Sequence, residues 1–304
     1  MDSALSCTNL TRRFGRTTAV DDLTLAVPRG SIFALLGPNG AGKSTCLKLW
    51  LKLLRPSRGT TMTLGTDALK LGPTDFQRIG YVAEGQDIPE WMQVDQFIDY
   101  CRKFYPTWDA ALEERLRKLF ELPGDRRLKH LSRGMRMKAT LLSTLAFRPE
   151  LLVLDEPFSG LDPLVRDELV SALLEMPQED RPATIVVSTH DLNDVERLVD
   201  HVAFLNNGRL LLSESLESLS TRHRLVEVAA DHEISPEGTP AEAWQALEQP
   251  TSRTLRGIVA DWRDDDATEK LQEAFSSAHI DTRPMALREL YIHLARTAKL
   301  TPTS

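Results

Sequence analysis

The sequence has little cysteine, few aromatic residues and no long apolar segment. Its 304 residues include three cysteines, at positions 7, 46 and 101, and 6% of the chain is aromatic. Scattered cysteines in odd number are typical of reduced thiols and exclude a disulfide framework. No stretch approaches the 18 or so consecutive apolar residues of a transmembrane helix, and no basic-then-apolar leader opens the chain. We therefore expect that any role at a membrane depends on a partner.

The charge and composition are those of an ordinary folded protein. Lys and Arg total 37 against 44 Asp and Glu, so the net charge is −7, and 41% of the residues are hydrophobic. A negative chain of this kind gives no reason to expect nucleic acid or an anionic membrane surface as a partner. The length suits one domain of about 200 residues followed by a smaller one.

The first 213 or so residues alternate short apolar runs with helical patterns, which is typical of an α/β protein. The apolar runs predict strands at Ser31–Leu36, Leu151–Leu154, Thr184–Ser188 and Val202–Leu205, and Asn207-Gly208 predicts a hairpin into Arg209–Leu212. A 3.6-residue periodicity predicts helices at Val94–Phe104, Ala110–Phe120 and Met135–Phe147. We interpret residues 86–147, approximately, as a helical subdomain inserted in the α/β core.

After residue 217 the pattern changes to that of a small α+β domain. Strands are predicted at Arg224–Ala229 and Thr254–Ala260, and helices at Ala241–Leu247, Ala267–Ala278 and Leu287–Ala298. The segment Ser235–Pro240 has the composition of a loop. We therefore predict a first domain at residues 1–217 and a second at residues 218–304, which carries no catalytic pattern and is expected to serve regulation or dimerisation.

A glycine-rich segment follows the first apolar run of the α/β region. It fits G-x-x-x-x-G-K-[ST] and consists of Gly37, Pro38, Asn39, Gly40, Ala41, Gly42, Lys43, Ser44 and Thr45. Its glycines let the backbone wrap around phosphate, and the helix that follows points its positive end at the same anion. Lys43 would neutralise the β and γ phosphates, and Ser44 would ligate Mg²⁺. The alternative, a glycine-rich turn with an accidental lysine, rarely produces this full pattern.

Two carboxylates end a later apolar strand. Asp155 and Glu156 directly follow Leu151–Leu154 and precede Pro157. Asp155 is placed to reach Mg²⁺ through water, and Glu156 to polarise an attacking water molecule. Alone, such a pair is usually a solvated strand end. Roughly 110 residues after a phosphate loop, it predicts a catalytic site instead.

The order of these motifs resembles that of the ATP-binding cassette (ABC) ATPases, from residue 5 to about residue 213. The further matches are Phe14, Leu131–Met135, Ser159–Asp162 and His190. The resemblance implies that Phe14 stacks on adenine, although a core phenylalanine is the alternative. It also implies that His190 contacts the γ phosphate and that Glu156 and Lys43 act in ATP hydrolysis. The implied fold is a P-loop α/β sandwich with an antiparallel β portion, an inserted helical subdomain and a small C-terminal α+β domain.

The resemblance also implies partners. Leu131–Met135 stands at the family's signature, where a helix N-terminus docks on the γ phosphate bound by a second subunit. Ser132 and Gly134 are therefore expected to contact ATP across a homo- or heterodimer, because the sequence holds one phosphate loop. ABC cassettes of this kind drive a separate membrane-spanning transporter subunit. The expected location is cytoplasmic, at the inner face of the cell membrane.

Two motifs depart from the family pattern. Glu84 stands where the family has a metal-sensing glutamine, with Gln86 as a rival, so we expect Glu84 beside Ser44 and Asp155 in the metal site. Arg133 replaces the second glycine of the signature and Met135 its glutamine. This form, together with the segment Phe104–Asp109, resembles an exporter-type bacterial subgroup that includes the acetoin-utilisation and antibiotic-resistance ATPases. Within that segment Trp108 is alternatively a plain core aromatic.

Three other functions agree less well with the sequence. A soluble ABC ATPase of DNA repair or translation would carry a long coiled coil or a second cassette, and the sequence contains neither. A nucleotide sensor without hydrolysis is disfavoured by the intact Lys43, Asp155, Glu156 and His190. A P-loop kinase or GTPase would lack Ser132-x-Gly134 and His190. The transported substrate is not encoded in this chain, because specificity lies in the membrane partner.

Overall fold

The computed structural model describes residues 2–176, 182–192, 195–235, 244–259, 269, 271–275, 277–285 and 287–290, with the backbone alone at 244–247. The chain divides into two compact units, Met1–Ser213 and Glu214–Ser304. The predicted boundary after Glu217 falls four residues later (217 − 213). The difference arises because Glu214 accepts hydrogen bonds from Ser218 and Arg222 of the following helix.

Two sheets form the first unit. An antiparallel sheet in the order β2-β1-β4-β5 consists of β1 (Ser3–Phe14), β2 (Thr17–Pro28), β4 (Arg58–Thr63) and β5 (Thr66–Asp67). The second sheet, in the order β10-β9-β3-β8-β7-β6, consists of β3 (Ile32–Leu36), β6 (Ile79–Val82), β7 (Leu151–Asp155), β8 (Thr184–Thr189), β9 (His201–Asn206) and β10 (Arg209–Ser215). The pairs β3–β8, β3–β9, β6–β7 and β7–β8 are parallel.

The continuous apolar runs in the sequence correspond to strands that are covered on both faces. Every residue of β3, β7 and β8 is buried. Parallel strands need this composition because helices or another sheet lie over each face. The predicted hairpin between β9 and β10 also forms, and both Asn207 and Gly208 have positive φ, as a two-residue hairpin turn requires. The parallel strands β3, β8 and β7 bring their carboxyl ends to one edge of the sheet, where the candidate site lies.

Six α-helices lie in the part of the first unit that the structure describes: α1 (Lys43–Trp50), α2 (Pro73–Phe76), α3 (Val94–Arg102), α4 (Ala110–Phe120), α5 (Arg133–Leu145) and α6 (Pro163–Leu174). Residues 86–147, all of which the structure describes, contain α3, α4 and α5 and no strand. The inserted helical block is therefore present. Helix α5 begins two residues before the predicted start because Ser132 caps it, accepting a hydrogen bond from the Met135 amide at 3.2 Å.

A buried carboxylate connects several residues of the helical block to one another. Glu113 on α4 is 5% exposed. It accepts hydrogen bonds from the indole of Trp108 at 2.7 Å, from Arg102 on α3 at 2.7 Å and from Arg117 at 2.9 Å. Trp108 is half-buried and its indole N–H binds this carboxylate, so it is not only a core aromatic. The three donors satisfy the buried carboxylate, as a buried charge requires.

The hydrophobic core of the first unit fixes α1, the helix that follows the phosphate loop. Leu47 and Trp50 of α1 are fully buried, against core residues of β1 such as Leu5 and of β7 such as Leu151. The Trp50 indole donates to the Ser6 carbonyl at 3.0 Å, so its polar atom is satisfied. The phosphate loop is therefore attached to a rigid helix.

The second unit contains α7 (Leu216–Arg222) and an antiparallel sheet in the order β12-β13-β11-β14. Its strands are β11 (Arg224–Ala229), β12 (Trp244–Thr251), β13 (Thr254–Val259) and β14 (His279–Pro284). Its core includes Val226, Leu255, Leu271 and Phe275. The unit is α+β, as predicted.

Several predicted elements of the second unit need correction or lie outside the described residues. The helix predicted at Ala241–Leu247 is wrong from Trp244 onward, because β12 pairs there with β13 and this pairing outweighs local helix propensity. The strand β14 was missed. The predicted helices at 267–278 and 287–298 appear in part, at 269 and 271–274 and at 287–290. Residues 236–243, 260 and 291–298 lie outside the described residues. Among the helices that the structure describes, none has the length and apolar content to cross a bilayer.

Candidate active site

The phosphate loop runs from the end of β3 into α1 between closely approaching backbone segments. A Cβ atom at Gly37 would meet the carbonyl oxygen of Leu205, and one at Gly42 would meet that of Ala19. Gly42 also has φ of +99°, which other residues rarely adopt. Glycine is therefore required at both positions by contact with neighbouring backbone, in addition to any contact with a ligand.

Lys43 lies with its ammonium group inside the loop. The side chain is 5% exposed, and Nζ donates to the carbonyl oxygens of Gly37 at 2.7 Å and Pro38 at 3.3 Å. It also lies 3.1 Å from Oε1 of Glu156. A buried ammonium group surrounded by oxygen atoms is the arrangement expected where phosphate oxygens are to be held. The loop thus presents one cation and the N-terminus of α1 to the same point.

Asp155 accepts two hydroxyl hydrogen bonds at the end of β7. Ser44 Oγ donates to Asp155 Oδ1 at 2.9 Å, and Ser188 Oγ donates to the same oxygen at 2.6 Å. Asp155 is 3% exposed. Hydroxyl and carboxylate oxygens are hard donors of the kind that Mg²⁺ prefers, and Mg²⁺ is commonly held by one or two carboxylates together with substrate phosphates. The residues present therefore fit this metal.

Sequence reasoning missed the part played by Ser188. It pairs directly with Asp155 in the parallel register of β7 and β8. Both strands were predicted, and a serine ending an apolar run was a signal that a polar group faces the same edge. The register that places Ser188 opposite Asp155 depends on the folded sheet.

Glu156 is held between the phosphate loop and β8. Its backbone N–H donates to both the carbonyl and the hydroxyl oxygen of Ser188 at 3.1 Å. Its φ is +48°, a left-handed conformation that costs roughly 1–2 kcal/mol outside glycine. The carboxylate lies between Lys43 and His190, whose Nδ1 is 2.9 Å from Oε2.

Ser132 and Gly134 of the signature segment are not bonded to this cluster. The contacts that join Lys43, Asp155, Glu156 and His190 do not include Ser132 or Gly134. Ser132 is exposed at the N-terminus of α5, whereas Gly134 is buried, and a Cβ at Gly134 would lie 3.2 Å from Val165 of α6. Gly134 therefore allows α5 and α6 to pack closely. A contact of either residue with nucleotide in a second subunit stays a prediction.

Glu84 is not brought into contact with Ser44 or Asp155. It is half exposed, and its Oε1 lies 3.8 Å from Nη2 of Arg133. The neighbouring Gln86 folds back so that its Oε1 accepts from the Ala83 amide at 3.1 Å. Glu84 and Glu156 nevertheless line the same cavity, of about 450 Å³. The structure thus gives Glu84 a partner that the sequence did not predict, and its role toward a metal stays a prediction.

Phe14 is an exposed aromatic at the end of β1. The side chain is 44% exposed, so the alternative of a core phenylalanine is wrong. The Arg12 guanidinium lies over the ring, 4.4 Å from its centroid. Such a ring is available to stack on a planar ligand, although no contact joins it to the Lys43–Glu156 cluster.

Tyr81 and the cysteines keep their protons at neutral pH. Burial raises the pKa of Tyr81 to about 12, and the charge of Asp155 adds to the shift. Burial likewise raises the pKa of Cys7 to about 12, that of Cys46 well above its usual value, and that of Cys101 in the same direction. Thiolate chemistry is therefore suppressed at all three thiols.

Comparison with known proteins gives consistent results. The family model described as ABC transporter matches residues 20–159. The bacitracin transport ATP-binding protein of Enterococcus faecalis is 30% identical over 226 residues, 74% of this chain and 73% of that protein. The Nod factor export ATP-binding protein I of Cupriavidus metallidurans is 33% identical over 214 residues, 69% and 70% of the two chains. A solved ATP-binding subunit of an ABC transporter superposes with a TM-score of 0.64 at 30% identity, covering 71% of this chain and 92% of that one.

Proposed function

We propose that this chain, which belongs to the ABC transporter family of ATP-binding proteins, hydrolyses ATP with Mg²⁺ as the energy-supplying subunit of an exporter. The observation that carries the proposal is the position of Glu156. Its buried carboxylate lies between Lys43 of the phosphate loop and His190, 3.1 Å and 2.9 Å away. A carboxylate that is fixed beside a phosphate-binding cation is placed to activate water at the terminal phosphate.

Binding of ATP would use the loop from Gly37 to Thr45. Its backbone N–H groups and the N-terminus of α1 would surround the phosphates, and Lys43 would exchange its carbonyl partners for phosphate oxygens. Ser44 and Asp155 would hold Mg²⁺, which when bound neutralises charge on the phosphate oxygens. Phe14 would stack on adenine. Glu84, or alternatively Gln86, would sense the bound metal.

Hydrolysis would depend on Glu156 as the general base. The carboxylate takes a proton from the attacking water, while Lys43 stabilises the charge that develops on the terminal phosphate. His190 fixes the carboxylate through Oε2 and contacts the γ phosphate. The left-handed backbone at Glu156 and its two hydrogen bonds to Ser188 keep the carboxylate at one place and so reduce the reorganisation that the reaction requires.

The working unit would be a dimer bound to a membrane-spanning subunit. Ser132 and Gly134 of one chain would complete the site of the other, in a homo- or heterodimer at the cytoplasmic face of the cell membrane. Export is supported by the names of the relatives, which include bacitracin transport and Nod factor export proteins. The domain at residues 218–304 would serve regulation or dimerisation. A neighbouring reading frame that codes for several apolar spans of about 20 residues would supply the missing partner.

The test of the proposal is the Glu156→Gln variant, which keeps the shape of the side chain but cannot take up a proton. ATP binding should persist, hydrolysis should fall by about 10²- to 10⁴-fold, and an ATP-bound dimer should accumulate. Glu150→Gln is the matched control, because Glu150 precedes the opposite end of β7 and pairs with Arg78. Near-normal turnover by Glu156→Gln would sink the proposal.

A further inference from the structure

Arg133 turns back toward its own subunit. Its Nη2 lies 3.8 Å from Oε1 of Glu84, in the loop after β6. Its Nη1 lies 2.8 Å from the point that a Cβ atom at Gly160 would occupy, so the guanidinium group lies against the backbone of the turn after β7. One side chain at the start of α5 therefore lies against the loop after β6 and the turn after β7.

Both residues of this pair depart from the family pattern. Glutamine and glycine, which the family has at these positions, could not form an ion pair, whereas Glu84 and Arg133 balance one another. Gly160 completes the arrangement. It has φ of +67° and no side chain, and any Cβ there would displace the guanidinium group.

The contact lies directly beside the proposed base. Glu84, Arg133 and Glu156 line one cavity of about 450 Å³. The turn that Arg133 contacts is closed by a backbone hydrogen bond, in which the Ser159 amide donates to the Glu156 carbonyl at 3.2 Å. Gly160 is thus joined to Glu156 by a short, hydrogen-bonded stretch of backbone.

We propose that Arg133 is a positioning residue that couples the helical subdomain to the base, by holding the Glu84 loop and the Gly160 turn in one arrangement. The inference rests on the proposed function, since the base matters only if the chain hydrolyses ATP. Arg133 touches neither Lys43 nor Asp155, and it acts through Glu84 and Gly160. Its side chain is 60% exposed and that of Glu84 is 53% exposed, so water and salt screen the pair.

The test is a double-mutant cycle that combines Arg133→Gln and Glu84→Gln. Each single variant should lower kcat by about two- to fivefold, the range expected of an exposed ion pair. The double variant should be no slower than the slower single variant, because both remove the same contact. Raising the ionic strength to about 1 M should reduce the difference between wild type and the single variants. Unfolding temperatures should stay within the scatter of wild type.

Arg136→Gln supplies the matched control. Arg136 lies on the same helix and lines the same cavity, but it pairs with Glu90 at 3.1 Å. Its effect should add to that of Glu84→Gln. Additive effects of Arg133→Gln and Glu84→Gln, or a wild-type kcat in Arg133→Gln, would overturn the inference. The proposed function is judged separately, by turnover in wild type and its loss in Glu156→Gln, so the two failures are distinguishable.

Discussion

His190 and Glu156 are joined across the ends of two adjacent parallel strands by a hydrogen bond of 2.9 Å between Nδ1 and Oε2. The carboxylate is 8% exposed, and the imidazole is nearly half exposed. The histidine thus anchors a buried group from the open side of the site. Because Oε2 is used in this contact, the other carboxylate oxygen, Oε1, remains for Lys43, whose Nζ lies 3.1 Å away.

We expect His190→Ala to lower kcat by up to about 10²-fold, because a catalytic group that shifts by about 1 Å loses activity on this scale. The affinity for ATP should change less, since Lys43 and the phosphate loop are untouched. Steady-state kinetics and nucleotide binding measure the two effects. His201→Ala is the control, because His201 makes a similar contact with Asp200 at 2.6 Å but lies at the start of β9. Equal kcat in both variants would contradict the assignment.

Gly208 should prove necessary for nucleotide affinity although it lies outside the phosphate loop. Its N–H donates to the Ala41 carbonyl at 3.0 Å. A Cβ there would lie 2.8 Å from the Ala19 carbonyl oxygen. Gly208→Ala would therefore push the hairpin away from β2 and disturb its hydrogen bond to the phosphate loop, and we expect ATP to bind about three- to tenfold more weakly. Titration with a fluorescent ATP analogue measures the change.

Gly65→Ala separates this contact from backbone strain. Gly65 has φ of +84°, close to the +78° of Gly208, but a Cβ there meets nothing nearer than the Arg29 guanidinium at 4.0 Å. Both substitutions should cost roughly 1 kcal/mol of stability through the left-handed backbone. Only Gly208→Ala should weaken ATP binding. Equal affinity of the two variants would show that the hairpin does not support the loop.

Glu113 should stabilise the helical subdomain in a pH-dependent manner. Burial opposes its ionisation, but hydrogen bonds from Trp108, Arg117 and Arg102 outweigh burial and lower its pKa. A lowered pKa contributes stability above the unfolded value near 4.5, and that contribution is lost as the pH falls through the folded value. At pH 7, Glu113→Gln should lower the free energy of unfolding by about 1–3 kcal/mol. The difference in free energy of unfolding between this variant and wild type should become smaller at acid pH.

Denaturant unfolding of Glu113→Gln and Glu114→Gln at pH 7 and pH 4 tests this expectation. Glu114 is the next residue on the same helix and pairs with Lys118, but it is fully exposed to solvent. Its substitution should leave the unfolding midpoint unchanged at both pH values. A Glu113→Gln variant as stable as Glu114→Gln at pH 7 would show that the buried network contributes nothing net.

Local patterns predicted the phosphate loop and the two carboxylates that the fold brings together, but not the contacts between them. The phosphate loop and Asp155-Glu156 each lie at the end of an apolar strand, and parallel pairing necessarily brings such ends together. The hydrogen bond from Ser188 to Asp155 depends on strand register, and the direction of Arg133 depends on the room left at Gly160. The strand at Trp244 was missed for a related reason, because its partner β13 follows it in the chain and local propensity does not report pairing.

Ser132 of one subunit should act in the catalytic site of a second subunit. Ser132 is exposed at the N-terminus of α5, and its hydroxyl accepts a hydrogen bond from the Met135 amide at 3.2 Å. A capping serine would contribute about 1 kcal/mol to stability and nothing to hydrolysis. The alternative is that this exposed helix end meets the phosphate bound by the Lys43 loop of a partner chain. Arg133 does not obstruct that approach, since it turns toward Glu84 of its own subunit.

Mixing two inactive variants separates these possibilities. Ser132→Arg blocks the helix end and keeps Lys43, whereas Lys43→Ala keeps Ser132, so each homodimer should be inactive. In a mixed dimer one site carries both lesions and the other carries none. With random pairing of equal amounts, half of the dimers are mixed and each has one intact site, so about a quarter of wild-type activity should return. If the mixed dimers form and stay inactive, or if Ser132→Arg alone turns over normally, Ser132 serves only as a helix cap. A residue that is needed in trans must fail in its own homodimer and be rescued by a partner chain that retains it.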